Sequence, residues 1–216
     1  MYYPYVQQMP RQKLRLMTVK GVADLTVVPD TVQIQLEVST ENKELSLAQS
    51  ENALIMNRVI DSLVEFGVNR EDITTVSYHI FPQYNYIENE QVLRGYEVTN
   101  AISIKSTAID QIGKLIDIAV ENGVNRVSNI QFTSSNEQLY YQQALSLALK
   151  DATVKAQTIS ETMHLQFDPT PTKIVEQFPE QPAVYRAFSS TEQRLSTPIE
   201  PGQITVSATV KVQFQY

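Results

Sequence analysis

Residues 29–40, Pro-Asp-Thr-Val-Gln-Ile-Gln-Leu-Glu-Val-Ser-Thr, carry the pattern on which the fold depends. After the Pro-Asp turn signal, every second residue from Val32 to Val38 is apolar and the residues between them are polar. An alternation of period two places one set of side chains on each face of a strand. The stretch therefore predicts a β-strand with one buried face and one face toward water.

The sequence on either side of this strand predicts further regular structure. Residues 14–28 are rich in β-formers, and apolar side chains recur at helical spacing from Glu44 to Phe66. The helical pattern stops at Gly67, a residue type that accepts the left-handed conformation at a helix end. Two β-prone runs, 73–86 and 93–106, flank a polar stretch and predict an antiparallel hairpin.

The second half of the chain adds two helices and three strands. The predicted elements are a helix over 109–122, a strand over 124–133, a helix over 136–164, and strands over 172–178 and 204–214, with a long Pro-rich loop over 179–198. The order β-β-α-β-β-α-β-α-β-β predicts an α+β fold, with antiparallel sheet or sheets and helices packed on one face. Residues 1–13 predict a flexible N-terminal arm, and residues 14–216 the folded domain.

Two local patterns refine this prediction. Gly-Val-Asn-Arg occurs at 67–70 and again at 123–126, each time between a helix and a strand, which indicates one helix–turn–strand unit used twice. The third helix carries an apolar stripe whose small residues predict close packing on a sheet or helix, namely Leu145, Ala148, Ala152, Ala156, Ile159 and Met163.

Bulk composition excludes several classes of partner. The 216 residues carry a formal net charge of −7, and the lysines and arginines are scattered, so we expect no nucleic-acid partner. No apolar stretch reaches the roughly 20 residues that span a bilayer, so no transmembrane segment is predicted. The N-terminus lacks the apolar core of a secretory signal, which predicts a cytoplasmic location.

Residues with catalytic or ligand-binding chemistry are sparse. Cysteine is absent, the 6 glycines form no phosphate-binding loop, and the only histidines are His79 and His164. Their spacing fits neither a metal site nor a hydrolase triad, and a structural role explains each of them. We therefore expect no catalytic residues, no cofactor, no metal and no enzymatic activity.

The predicted hairpin is unusually rich in tyrosine. Tyr78, Tyr84, Tyr86 and Tyr96 all belong to it. Aromatic side chains on a hairpin commonly stabilise cross-strand pairs. They are also frequent anchors of protein interfaces. We interpret these four tyrosines as candidate interface residues, with cross-strand packing as the alternative.

Strand length points to self-association. The predicted strands over 31–42 and 204–214 exceed the usual length of about 5–6 residues. Long strands at the edge of a sheet expose unpaired backbone groups, which pairing with another copy would satisfy. We therefore expect a homo-oligomer, and a closed ring would also prevent further strand addition.

A series of local motifs resembles the SIMPL (DUF541) family. In chain order they are Gly21 through Pro29-Asp30, Ala48-x-x-x-Asn52, Gly67 with Asp72-Ile73-Thr74-Thr75, Pro82-x-Tyr84, Gly95-Tyr96, Gly123-x-Asn125, Ala144-Leu145, Asp151-Ala152, Lys155-Ala156 and Ile199-Glu200-Pro201-Gly202. They cover the chain from Thr18 to the C-terminus. Two departures are expected: many bacterial relatives carry an export signal, which is not predicted here, and His164-Leu165 stands where relatives often have a glycine.

The resemblance implies association with other chains and little chemistry, since the family has no agreed catalytic residues. Its members include a bacterial periplasmic immunogen that forms ring-like assemblies, proteins linked to oxidative-stress tolerance, and a mammalian protein that binds a signalling kinase. We therefore expect a non-catalytic, self-assembling structural or interaction protein with an unidentified protein partner and, by family analogy, a link to stress tolerance. The alternatives are a small-molecule binding module with a pocket between sheet and helices, and an enzyme whose site has no recognisable motif.

Overall fold

A computed structural model describes residues 15–88, 90–177 and 197–216, which form seven strands and three α-helices. The elements are β1 (Leu16–Val27), β2 (Thr31–Asn42), α1 (Leu45–Phe66), β3 (Ile73–Ile87), β4 (Glu90–Ser106), α2 (Ile112–Glu121), β5 (Arg126–Thr133), α3 (Glu137–Thr162), β6 (Pro171–Gln177) and β7 (Ile204–Gln215). The predicted α+β fold and element order are confirmed. The predicted arm over 1–13 and most of the loop over 179–198 lie outside the described residues.

The elements group into two compact units. One unit holds a four-stranded sheet in the order β3-β4-β2-β5, together with α1 and α2. The other holds a three-stranded sheet in the order β1-β7-β6, together with α3. Both sheets are antiparallel, and among the described strands only the pairs β3-β4 and β6-β7 join strands that are consecutive in the chain.

The core of the four-stranded unit is the buried face of β2. Val32, Ile34, Leu36 and Val38 are fully buried, and they belong to one apolar cluster with α1 side chains such as Val59. The polar residues between them lie on the opposite face of the sheet. The alternation in residues 29–40 thus fixes which face of the sheet α1 covers.

Two polar contacts fasten α1 to the sheet below it. Asn52 is completely buried, and its side-chain amide donates to the carbonyl oxygens of Val38 and Val98 at 2.9 and 3.0 Å. The Thr40 hydroxyl donates to the carbonyl oxygen of Ala48 at 2.8 Å. The Ala48-x-x-x-Asn52 motif therefore joins one helix to two neighbouring strands.

The repeated Gly-Val-Asn-Arg segments close their helices in the same way. Gly67 and Gly123 have φ values of 111° and 117°, which only glycine adopts without strain. In each segment the following valine N–H donates to a carbonyl oxygen five residues earlier, at 3.0 Å. This is a Schellman-type helix end, so the predicted helix–turn–strand unit occurs twice.

In the three-stranded unit, α3 presents a row of small side chains to β1 and β7. Every fourth residue from Ala144 to Ser160 is buried. Gly21 in β1 allows a close approach, because a Cβ at this position would lie 2.0 Å from the Ala148 carbonyl oxygen. The buried row differs from the predicted stripe at its C-terminal end, because Ile159 and Met163 are exposed. The row advances in steps of four residues, whereas the prediction mixed steps of three and four.

The two long strands used to predict an exposed edge both lie inside their sheets. β2 pairs with β4 and β5, and β7 pairs with β1 and β6. The long strands β2 and β7 therefore expose no edge that a second copy would pair with in a homo-oligomer. Among the described residues, the sheet edges are formed by β3 and β5 in one sheet and by β1 and β6 in the other, and β3, with 15 residues, is the longest of these.

Candidate interaction site

The β3–β4 hairpin extends beyond the sheet to which it belongs. Its register runs from Ile73↔Ile104 to Ile87↔Glu90, whereas β2 accompanies β4 only as far as Asn42↔Tyr96. Within the described part of the chain, residues 83–88 and 90–95 thus form a two-stranded projection with no third strand of the sheet beside it. A two-stranded hairpin alone is marginally stable in water, so this projection is suited to packing against something else.

The strand register brings all four candidate tyrosines to one face of the hairpin. Tyr78 lies on the side of α1, because its hydroxyl oxygen accepts a hydrogen bond from Gln49 Nε2 at 3.4 Å. Tyr84 and Tyr86 follow at even spacing in the same strand, and Tyr96 lies directly opposite Pro82 on β4. We call this surface the tyrosine face; it consists of Tyr78, Ile80, Pro82, Tyr84, Tyr86, Leu93 and Tyr96.

The tyrosine face is largely open to solvent. Tyr78 and Tyr84 are 46% and 45% exposed, Tyr86 is 76% exposed, and Leu93 is 46% exposed. Tyr96 is half-buried. From Ile73 to Ile87 the sequence contains no Asp, Glu, Lys or Arg. Large apolar side chains on an uncharged edge strand form the kind of surface that marks an interaction site in a folded protein.

The backbone edge of β3 is poorly suited to pairing with another strand. The β3–β4 ladder has irregularities between Thr75 and Ser77 and between Gln83 and Tyr84, and Pro82 in the middle of the strand has no N–H to donate. Bulges and proline are devices by which natural edge strands resist the addition of another strand. The hairpin is therefore better suited to face-to-face packing than to extending the sheet.

On the opposite face of the sheet, a polar cluster braces the base of the hairpin. The Arg126 guanidinium donates to Glu37 Oε1 at 2.9 Å and to Glu97 Oε1 at 2.8 Å. Glu97 also accepts from the Ser39 hydroxyl at 2.8 Å and from Gln83 Nε2 at 2.7 Å. The cluster thus joins β2, β3, β4 and β5.

The polar cluster favours the charged form of Glu97. The Ser39 hydroxyl, together with the Arg126 guanidinium and the Gln83 amide, lowers the pKa of Glu97 against the opposing effect of burial. The same two carboxylates raise the pKa of Arg126. Sequence reasoning missed this cluster, because Arg126 and Glu37 are 89 residues apart and no local spacing relates them.

Two cavities lie on other surfaces of the four-stranded unit. A cavity of about 350 Å³ at the end of α1 is lined by Lys105 and Asp72 among others. A second, of about 430 Å³, lies between the Pro29-Asp30 turn and residues 199–201. Within residues 15–88, 90–177 and 197–216, no three His, Asp or Glu side chains are grouped so that they would hold a metal ion.

Both histidines occupy positions that a structural role explains. The His79 ring lies 5.7 Å from the Phe81 ring on the face opposite the tyrosines. His164 follows the end of α3 with a φ of 52°, the left-handed conformation that a glycine would adopt there. In the described residues, no helix has the length and apolar character needed to cross a membrane.

Comparison with known proteins finds one family match and several related proteins. The profile of the SIMPL family, described as proteins of unknown function (DUF541), matches residues 17–214. The chain is 25% identical over 224 residues to the 26 kDa periplasmic immunogenic protein of Brucella melitensis, an alignment that covers 96% of this chain and 87% of the relative. It is 22% identical over 149 residues to the uncharacterized protein YggE of Escherichia coli strain K12, with 69% of this chain and 61% of the relative covered.

The Brucella relative is named for the periplasm, so the comparisons do not support the cytoplasmic location expected from the sequence, which stays a prediction. The family match begins in β1 and ends in β7. It therefore spans both units and every helix and strand described above. With this coverage, the chain belongs to the SIMPL (DUF541) family.

Proposed function

We propose that this protein is a non-catalytic, self-assembling interaction protein, and that its copies associate through the tyrosine face. The observation that carries the proposal is the projecting hairpin, on which an uncharged strand exposes Tyr78, Tyr84 and Tyr86 along one face. Tyrosine supplies a large apolar area, and its hydroxyl forms hydrogen bonds with water before association and with water or the partner afterwards. Both properties suit it to an interface.

The dimensions of the face indicate how strong this contact is. From Tyr78 to Tyr86 the strand extends about 27–30 Å, and two strands make the surface about 10 Å wide, so the flat area is on the order of 300 Å². A standard interface buries roughly 800 Å² on each partner. We therefore expect only weak, reversible association through this face alone, and tighter assembly only where other surfaces add to it.

The bracing below the hairpin supports the same function. The polar cluster and the two contacts of α1 hold the base of the hairpin to the sheet, so the tyrosine face is presented on a fixed platform. A rigid surface loses less conformational entropy on association than a mobile loop does. By family analogy we extend the proposal to a role in stress tolerance and to an unidentified protein partner.

Light scattering coupled to size exclusion tests this function. The full chain at micromolar concentration is expected to show a discrete multiple of its 24.5 kDa mass. Replacing Tyr84 and Tyr86 by serine removes aromatic anchors and should raise the dissociation constant at least about tenfold. Val154→Ser on α3, which removes an apolar side chain that is 60% exposed, is the matched control and should leave the mass unchanged.

A monomer mass for the wild type at micromolar concentrations would contradict the proposed self-association. An unchanged oligomer in the double tyrosine variant would contradict the assignment of the interface.

A further inference from the structure

A step in the surface runs along one flank of α1. The helix packs over β2 and β4, and β3 lies beyond it at the edge of the sheet. Gln49 Nε2 on α1 donates to the Tyr78 hydroxyl on β3, so this flank faces the edge strand. We call the flank the wall of the step. The wall consists of four side chains at helical spacing, namely Gln49, Ala53, Ile60 and Val64.

The floor of the step is the part of β3 beside this wall. Thr75 and Ile80 lie opposite the buried Ile102 and Val98 on β4, so they share the α1 side of the sheet with Tyr78. These three β3 residues form the floor, and all of them are exposed. The floor therefore continues the tyrosine face toward the start of the strand.

Charge is confined to the other flank of α1. The helix carries four charged residues, and their spacing places them on one stripe: Glu51, Arg58, Asp61 and Glu65. The wall lies on a different stripe and carries no charge, although Ala53 and Val64 are exposed. The floor belongs to residues 73–87, which are also uncharged. In a chain with a net charge of −7, two copies can meet on such a surface without like-charge repulsion.

We propose that two copies of the chain pack with the edge strand β3 of each in the step of the other. This packing rests on the proposed self-association and extends its contact surface to α1. Sheets packed face to face lie about 10 Å apart, and a helix with its side chains is about 10–12 Å thick. A second β3 laid on the floor therefore lies beside the wall, in the same layer as α1. A two-fold axis forms this contact twice in one dimer.

The wall adds contact area that the tyrosine face lacks. From Gln49 to Val64 the helix extends about 22 Å, and a wall about 10 Å high contributes on the order of 200 Å². Together with the roughly 300 Å² of the tyrosine face, each copy then buries on the order of 500 Å², closer to the roughly 800 Å² of a standard interface. An anionic lipid surface fits less well, because three of the four charged residues of α1 are acidic.

Two adjacent residues of α1 provide matched variants of the full chain. Ala53→Glu places a carboxylate on the wall, whereas Leu54→Glu places one on the side of the helix away from β3, where Leu54 is 68% exposed. Both residues are exposed, so both variants should melt within about 2 °C of the wild type. Ala53→Glu should dissociate at a concentration at least about tenfold higher than the wild type, and Leu54→Glu should associate like the wild type.

Sedimentation velocity on the wild type and both variants gives the result. Wild-type association of Ala53→Glu, or an equal loss in Leu54→Glu, would overturn this packing. In both cases a wild-type oligomer that depends on Tyr84 and Tyr86 leaves the proposed function standing, whereas a wild-type monomer refutes both. Flotation of the wild type with vesicles of anionic lipid, lost in Ala53→Glu, would assign the step to a membrane and also overturn the packing.

Discussion

Replacing Ala152 by leucine is expected to destabilise the three-stranded unit strongly. Ala152 is completely buried in the row of small side chains on α3. Its Cβ lies 2.8 Å from the place where a Cβ on Gly21 would be, so the backbone of β1 stands directly in front of it. A leucine adds three carbon atoms where the nearest neighbours are backbone atoms that cannot rotate away.

The magnitude follows from that geometry. Overpacking a core position typically costs about 1–3 kcal/mol, and the value is at the upper end where the obstruction is backbone rather than a flexible side chain. For a chain of this size, each kcal/mol lowers the melting temperature by about 2–4 °C. We therefore expect the melting temperature of Ala152→Leu to fall by about 6–12 °C.

Thermal unfolding followed by circular dichroism measures the effect, and a substitution on the exposed side of the same helix provides the control. Gln157 is exposed, and its side chain donates only to Glu161, at 2.8 Å. Gln157→Leu should therefore change stability by less than about 0.5 kcal/mol. Equal losses in the two variants would refute the assignment of the buried face of α3.

Three further predictions concern single features of the chain. His164→Gly should stabilise the protein by about 0.5–1 kcal/mol in urea unfolding, since His164 adopts a φ of 52°, while Met163→Gly, at a φ of −92°, should destabilise it. Arg126→Gln should cost about 1–2 kcal/mol at neutral pH, against less than about 1 for Arg94→Gln, whose ion pair is more exposed. The pKa of Glu97 is lowered in the folded state, so the stability lost in Arg126→Gln is fully present above the ordinary pKa of 4.5 and disappears as the pH falls through the folded-state pKa. A loss of stability that does not depend on pH would contradict the ion pair. Removing residues 1–9 should leave the melting temperature unchanged, and a large drop would show that the arm contributes to the fold.

The parts of the fold that the sequence predicts are those with a local signal. Alternation of period two marks β2 and β7, and the ends of α1 and α2 are marked by Gly67 and Gly123, which have positive φ values. The same alternation puts Tyr78, Tyr84 and Tyr86 on one face as soon as β3 is recognised as a strand. Element order and much of the tyrosine face follow from such short-range patterns.

Strand neighbours carry no comparable local signal. The length of β2 suggested an exposed edge, yet β4 and β5 flank it, because sheet order depends on contacts between distant segments. The position of Tyr96 required the β3–β4 register. The polar cluster required four strands to be aligned at once, with Arg126 and Glu37 drawn from β5 and β2. These features arise from tertiary pairing, which spacing along the chain does not determine.

Self-association of the full chain is the central claim, and sedimentation equilibrium of the wild type tests it most directly. Samples from about 1 to 100 μM bracket the affinity expected for a face smaller than a standard interface. Self-association predicts an apparent mass that rises with concentration to a discrete multiple of 24.5 kDa. A constant mass of 24.5 kDa across the whole series would contradict it.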